Sequence, residues 1–298
     1  MLLSVTRELL NRRLIFVTGK GGVGKTTVAL ALGLAGTRSG RRTIVADMEG
    51  DGDTAEHEIA PDLFQTSVDP QSAMDEYLEA RVPGPAAALL KGSRLFQAFA
   101  MAAPGLREML CVGKFWDLAQ EKRRTPGGGP YDLVVVDAPA SGHGAAILRA
   151  PRTIADIARV GPVAHHARTI YETLLDRDFT AVVAVATAEE MPVNETLDLR
   201  DALRAGPDPL ELEAVILNAR YPDRFTAAEA TLLEGARAPG AAAAAIDTAL
   251  AEHARAAQQQ EQESRLREGF ARVQVLPFLF EPHLGLPEMD RLAQELLR

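Results

Sequence analysis

Cysteine is almost absent from this chain of 298 residues, where Cys111 stands alone. One thiol cannot close an intrachain disulfide. With no C-x-x-C pair there is also no closed zinc site and no group of thiols to enclose a soft metal, so zinc is not expected. Basic residues are in the minority: 32 Lys and Arg against 41 Asp and Glu leave a net charge of −9. That balance argues against direct binding to nucleic acid through the bulk of the surface. Aromatic residues make up only 5% of the chain, with a single tryptophan, Trp116. Long hydrophobic runs are missing too. Met1 to Arg13 has the pairs Leu2-Leu3 and Leu9-Leu10 interrupted by Arg7 and Glu8, which suits neither a signal peptide nor a membrane span. It reads as a short amphipathic helix leading into the first strand. A cytoplasmic protein is expected, with peripheral attachment at the inner membrane left open.

What the chain has is glycine where it matters. Gly19-Lys20-Gly21-Gly22-Val23-Gly24-Lys25-Thr26-Thr27 fits G-x-x-x-x-G-K-[ST], between the apolar run Leu14 to Val17 and a helix-like stretch from Val28. The glycines let backbone N–H groups turn inward around phosphate oxygens, and the helix opening near Lys25 adds its positive dipole end. Lys25 is expected to reach the β- and γ-phosphates of ATP, or the β-phosphate of ADP, and Thr26 to ligate Mg²⁺ directly. Lys20 makes this the variant K-G-G-x-G-K-[ST] loop, which resembles that of the signature-lysine nucleoside triphosphatases. The resemblance implies that Lys20 crosses a dimer interface to the partner's nucleotide, placing charge where the transition state becomes negative.

Short β-branched runs alternate with helical patterns, which predicts an α/β fold: a doubly wound parallel P-loop sheet with helices on both faces and a helical insertion. A single domain spans residues 1–298. Core strands are expected at residues 14–18, 43–46, 133–136, 181–187, 214–217 and 273–276. Ligands in such sheets sit beyond the carboxyl ends of the strands. There the second strand delivers Asp47 and Glu49, and the third delivers Asp137. Asp47 and Asp137 are assigned to Mg²⁺ through water, Asp47 also counting among the catalytic residues, and Glu49 is assigned to positioning the attacking water. Asp137 opens Ala138-Pro139-Ala140-Ser141-Gly142-His143-Gly144, a loop of small residues suited to a second switch, with Ser141, Gly142 and His143 sensing the γ-phosphate. Asn218 follows a buried strand and offers a donor and an acceptor to an adenine edge. Pro277 opens a stiff loop on the other side of the base.

Residues 83–126 are rich in large apolar groups, among them Leu89, Leu95, Phe96, Phe99, Met109 and Trp116, and form the expected helical insertion. Packing among these helices themselves is the simpler expectation. Residues 241–267 read as a long solvated helix. His165 and His166 are expected at the surface.

The loop, Asp137 to His143, the stretch Glu189-Glu190-Met191-Pro192-Val193-Asn194-Glu195-Thr196 and Asn218 together resemble the arsenical-pump and tail-anchored-protein-targeting ATPase family, over residues 13 to about 295. The resemblance implies a dimer that opens and closes with ATP, Mg²⁺ and hydrolysis. It is strongest to a bacterial anion-transporting branch in which two paralogues pair. A homodimer, or a heterodimer with a paralogous ATPase, with a protein cargo or a membrane-protein partner, follows as the expectation. In the register where the family reads Asp-Pro-Ala-His or Asp-Pro-Ala-Ser, this chain has Glu49-Gly50-Asp51-Gly52. An acid is kept there and the Pro-Ala is not, so slow hydrolysis, or a weakly catalytic subunit beside an active paralogue, stays open. A partitioning or positioning ATPase is the other alternative.

Overall fold

The computed structural model describes residues 5–48, 53–82, 84–95, 102–124, 129–140, 144–236 and 239–298. Glu49, Ser141, Gly142 and His143, as well as Phe96 and Phe99 of the insertion, lie outside the described residues.

The chain runs through α1 (Val5–Leu9), β1 (Leu14–Gly19), α2 (Lys25–Arg38), β2 (Thr43–Asp47), β3 (His57–Ala60), β4 (Leu63–Ser67), α3 (Pro70–Arg81), α4 (Gly84–Gly92), α5 (Leu106–Leu118) and β5 (Leu133–Asp137). There follow α6 (Gly144–Ala158), α7 (Pro162–Leu175), β6 (Thr180–Thr187), α8 (Glu190–Arg204), β7 (Ala214–Arg220), α9 (Ala227–Gly235), α10 (Ala241–Gly269), β8 (Val273–Pro277) and α11 (Leu286–Leu297). Eight strands form one sheet in the order β3-β4-β2-β5-β1-β6-β7-β8. All neighbours are parallel except β3 and β4.

Alternation along the central strands sends side chains to two separate cores, because successive residues of a strand point to opposite faces. Phe16, Ile44, Val134, Val136, Val182 and Ala184 face one core, covered by α3, α5, α6, α7 and α8. There Phe16 meets Phe115 edge-on at 6.2 Å between ring centroids. Ile15, Val17, Val45, Val135, Val183 and Val185 face the other, closed by α2 and α11. Both faces being buried explains why these strands are near-continuous β-branched runs rather than alternating ones.

The six expected strands are present. β3 and β4 were not foreseen, since residues 57–67 are short and half-exposed at the sheet edge. Their signal was the turn at Pro61-Asp62, with Asp62 at φ 59°, which joins Ala60 to its partner Leu63. α3 opens on a local signal: Pro70 follows the N-cap Asp69, whose carboxylate accepts from the Ser72 backbone N–H at 2.8 Å.

Candidate functional site

The loop after β1 is held open by close approaches that only glycine allows. At Gly19 (φ 148°) a Cβ would stand 2.3 Å from the Val185 carbonyl oxygen of β6, so the strand carrying the loop lies flush against its neighbour. Gly24 has φ 89°, and a Cβ there would meet Asn218 Nδ2 at 2.3 Å. Val23 is buried and anchors the loop between them. α2 starts at Lys25 after the N-cap Gly24, which has no side chain to cap it, and carries no acid in its first turn. The first N–H groups of a helix have no partner within it, and together with the positive dipole end they suit an anion. The Lys25 ammonium bends back over the loop and donates to the Lys20 carbonyl at 3.2 Å.

Strand register brings the acidic residues together. Asp137 stands level with Val17 on β1 and with Asp47 on β2. The Thr26 hydroxyl donates to Asp137 Oδ2 at 2.5 Å, joining the first turn of α2 to the end of β5. Asp47 Oδ2 accepts from the Ser67 hydroxyl at 3.2 Å, so the unforeseen β4 orients this carboxylate. Asp47 Oδ1 is buried with no hydrogen-bond partner among the described residues. The Thr26 hydroxyl with the Asp137 and Asp47 carboxylates, level on adjacent strands, fits Mg²⁺, which takes oxygen ligands and keeps several waters. No group of three or more His, Cys, Asp or Glu side chains converges among the described residues. An ion held here would take its other ligands from phosphate and water.

The segment after Asp137 is packed against the loop. Ala138 N–H donates to the Val17 carbonyl at 3.0 Å, and Ala140 Cβ is 3.6 Å from the place of a Cβ on Gly21. Where α6 begins, a Cβ on Gly144 would be 2.6 Å from Thr18 Oγ1. Ala140 and Gly144 thus lie close against β1 and its loop.

Lys20 lies across the loop on α8, with its ammonium 3.0 Å from Glu195 Oε1 and in contact with Met191 Sδ. Glu195 received no role from the sequence. Its signal was spacing: residues 191 and 195 are one turn apart and share a helix face.

Asn218 is buried at the end of β7, and Nδ2 donates to the Val23 carbonyl at 2.9 Å. A β-bulge makes this reach possible. The register with β8 slips between Leu217 and Arg220, with Ala219 at φ 58°. The amide thus staples the glycine-rich loop to the end of β7. Pro277 ends β8 level with Arg220. In the following loop Phe278 stacks on Tyr221 at 4.6 Å and Phe280 meets both rings edge-on.

Elsewhere the structure corrects one expectation. His165 is exposed but His166 is buried, stacked on Tyr77 and edge-on to Trp116, because adjacent helical residues point about 100° apart and one of the two faces inward. In the insertion, α5 packs into the core through Val112, Phe115 and Leu118, each fully buried. Cys111 lies among them, and burial, reinforced by Asp69 and Glu108, pushes its thiol up to about 12. No helix of the described residues is long and apolar enough to cross a membrane.

Comparison with known proteins agrees with this geometry. Residues 12–161 match the model of the anion-transporting ATPase (ArsA ATPase) family. The chain is 31% identical over 229 residues to ATPase BagA of Mycobacterium tuberculosis, covering 70% of this chain and 66% of BagA, just under two thirds of that protein. It is 30% identical over 155 residues to ATPase GET3 of Podospora anserina, covering 48% of this chain and 44% of GET3.

Proposed function

The chain belongs to the anion-transporting ATPase family, and from that premise we propose that it binds and hydrolyses ATP with Mg²⁺ as a dimeric switch, coupling nucleotide state to a partner or cargo. The observation that carries the reading is the hydrogen bond from Thr26 to Asp137 beside the uncapped start of α2. It joins the phosphate loop to the head of the second switch through a contact that a metal and a γ-phosphate would rearrange.

In this reading the loop N–H groups and the α2 dipole bind the phosphates, and Lys25 swings from the Lys20 carbonyl onto the β- and γ-oxygens. Thr26 would hold Mg²⁺ directly, with Asp47 and Asp137 acting through water. The ion would supply charge neutralisation at the β- and γ-phosphates. Glu49, which follows β2, orients the attacking water. Asn218 keeps the loop in shape and presents Oδ1 towards the adenine, with Pro277 on the far side. Lys20 leaves Glu195 and reaches the nucleotide of a second subunit, either an identical chain or a paralogous ATPase.

Two measurements on the full chain test this. ATP turnover should require Mg²⁺ and fall by about 10²-fold or more in Glu49→Gln, with binding retained. Sedimentation velocity should show a dimer that tightens with a non-hydrolysable ATP analogue and loses that response in Lys20→Ala. A chain that binds no ATP would overturn the whole reading. Binding without turnover would leave the switch but assign hydrolysis to a paralogous subunit.

A further inference from the structure

A second cavity lies away from the phosphate loop. It has a volume of about 350 Å³, opens to solvent on one side, and is bounded by α3, α5, the end of α6 and the start of α7. Its walls are apolar, with Met74, Leu78, Met109, Leu110 and Ile154 forming the interior. Protein interiors are close-packed, and an apolar hollow of this size deprives its lining of contact atoms. The volume lies near the low end for small-molecule pockets, with room for roughly a dozen groups the size of a water or methylene. A spanning helix about 30 Å long and 10 Å wide needs several times that space. The fit is to a small molecule.

The polar groups on the lining are not equivalent. Lys114 and Glu76 pair with each other at 2.5 Å. The Asp117 carboxylate accepts from the Arg124 backbone N–H at 2.9 Å. The Arg124 side chain is different: it is exposed, lies over the Trp116 ring at 5.2 Å, and has Nη1 3.5 Å from His166 Nδ1. No carboxylate pairs with its guanidinium among the described residues. It therefore marks a mouth that offers a fork of donors to an anion.

We propose that this cavity binds a small anionic amphiphile, a medium-length acyl chain with a carboxylate head, the chain between α3 and α5 and the head on Arg124. The proposal does not rest on the ATPase reading, since none of these residues belongs to the phosphate loop or the switches.

Trp116 is the only tryptophan and lines the cavity, so its fluorescence reports occupancy directly. Titrating the nucleotide-free full chain with decanoate should give a saturable change at one site per chain. Arg124→Gln should weaken decanoate by about ten-fold or more and leave decan-1-ol nearly unchanged. Val163→Phe, which adds bulk at the half-exposed rim of the cavity, should weaken both. Circular dichroism of each variant confirms the fold. No saturable response to either probe overturns the proposal, as does binding indifferent to both variants. Decanoate and decanol weakened alike by Arg124→Gln would refute the anionic head. An apolar helical peptide that binds where both probes fail would make the cavity a seat for one turn of a partner's helix.

Discussion

The Lys20 ammonium sits 3.0 Å from Glu195 Oε1, so the lysine expected to act on another subunit is held by α8 of its own chain. Both side chains are partly exposed, at 27% and 39%, and the pair is of the weak surface kind. A pair this weak yields readily to a stronger anion.

Glu195→Gln should free Lys20 without disturbing the loop. A pair of this kind contributes about 0.2–1 kcal/mol, so the nucleotide-dependent dimer should tighten by at most about five-fold for each Lys20 released. Sedimentation equilibrium with a non-hydrolysable ATP analogue measures it. A weaker dimer would show that Glu195 itself takes part in the interface.

Lys25→Ala should abolish ATP binding, because backbone N–H groups alone do not balance the phosphate charge. Calorimetry decides, and unchanged affinity would remove the phosphate-loop assignment.

Asn218→Ala should reduce ATP affinity by roughly ten-fold, about 1–2 kcal/mol, since the buried Val23 carbonyl loses its donor. Competition between ATP and GTP separates the two roles of the amide. A narrowed preference for ATP supports base reading, whereas equal losses for both nucleotides leave Asn218 as a staple of the loop alone.

Cys111 should be inert. With its thiol pushed up to about 12 by burial, it stays protonated and shielded through the ordinary working range. Iodoacetamide at pH 8 should label it only after denaturation, and Cys111→Ala should leave ATP turnover unchanged. Rapid labelling of the native chain would contradict its place in the core.

The Arg38 fork on Asp290, with Nε to Oδ1 at 2.6 Å, joins α2 to α11 and holds the Asp290 carboxyl below the usual carboxylate range. A depressed folded value means that the stabilisation is present above the unfolded value near 4 and is lost as pH falls through the folded one. Asp290→Asn should therefore lower the melting temperature slightly at pH 7, with the difference from the parent chain shrinking below about pH 4. A difference that grows in acid would reverse the assignment.

The sequence by itself determined the glycine-rich loop after β1, the six core strands, and Asp47 and Asp137 at the ends of two of them, because each rests on local chemistry. Glycine spacing dictates the backbone of the loop, and β-branched runs buried on both faces are legible one strand at a time. It did not show β3 and β4, since a short edge pair buries too little to leave a pattern, and with them went Ser67, which orients Asp47. Nor did it show the partners of Lys20 and Asn218. Glu195 lies 175 residues beyond Lys20 and Val23 lies 195 before Asn218. No local rule relates residues so far apart. Only the parallel order of β1, β6 and β7, with α8 crossing beside the loop and a bulge turning Asn218 inward, brings them within hydrogen-bond distance.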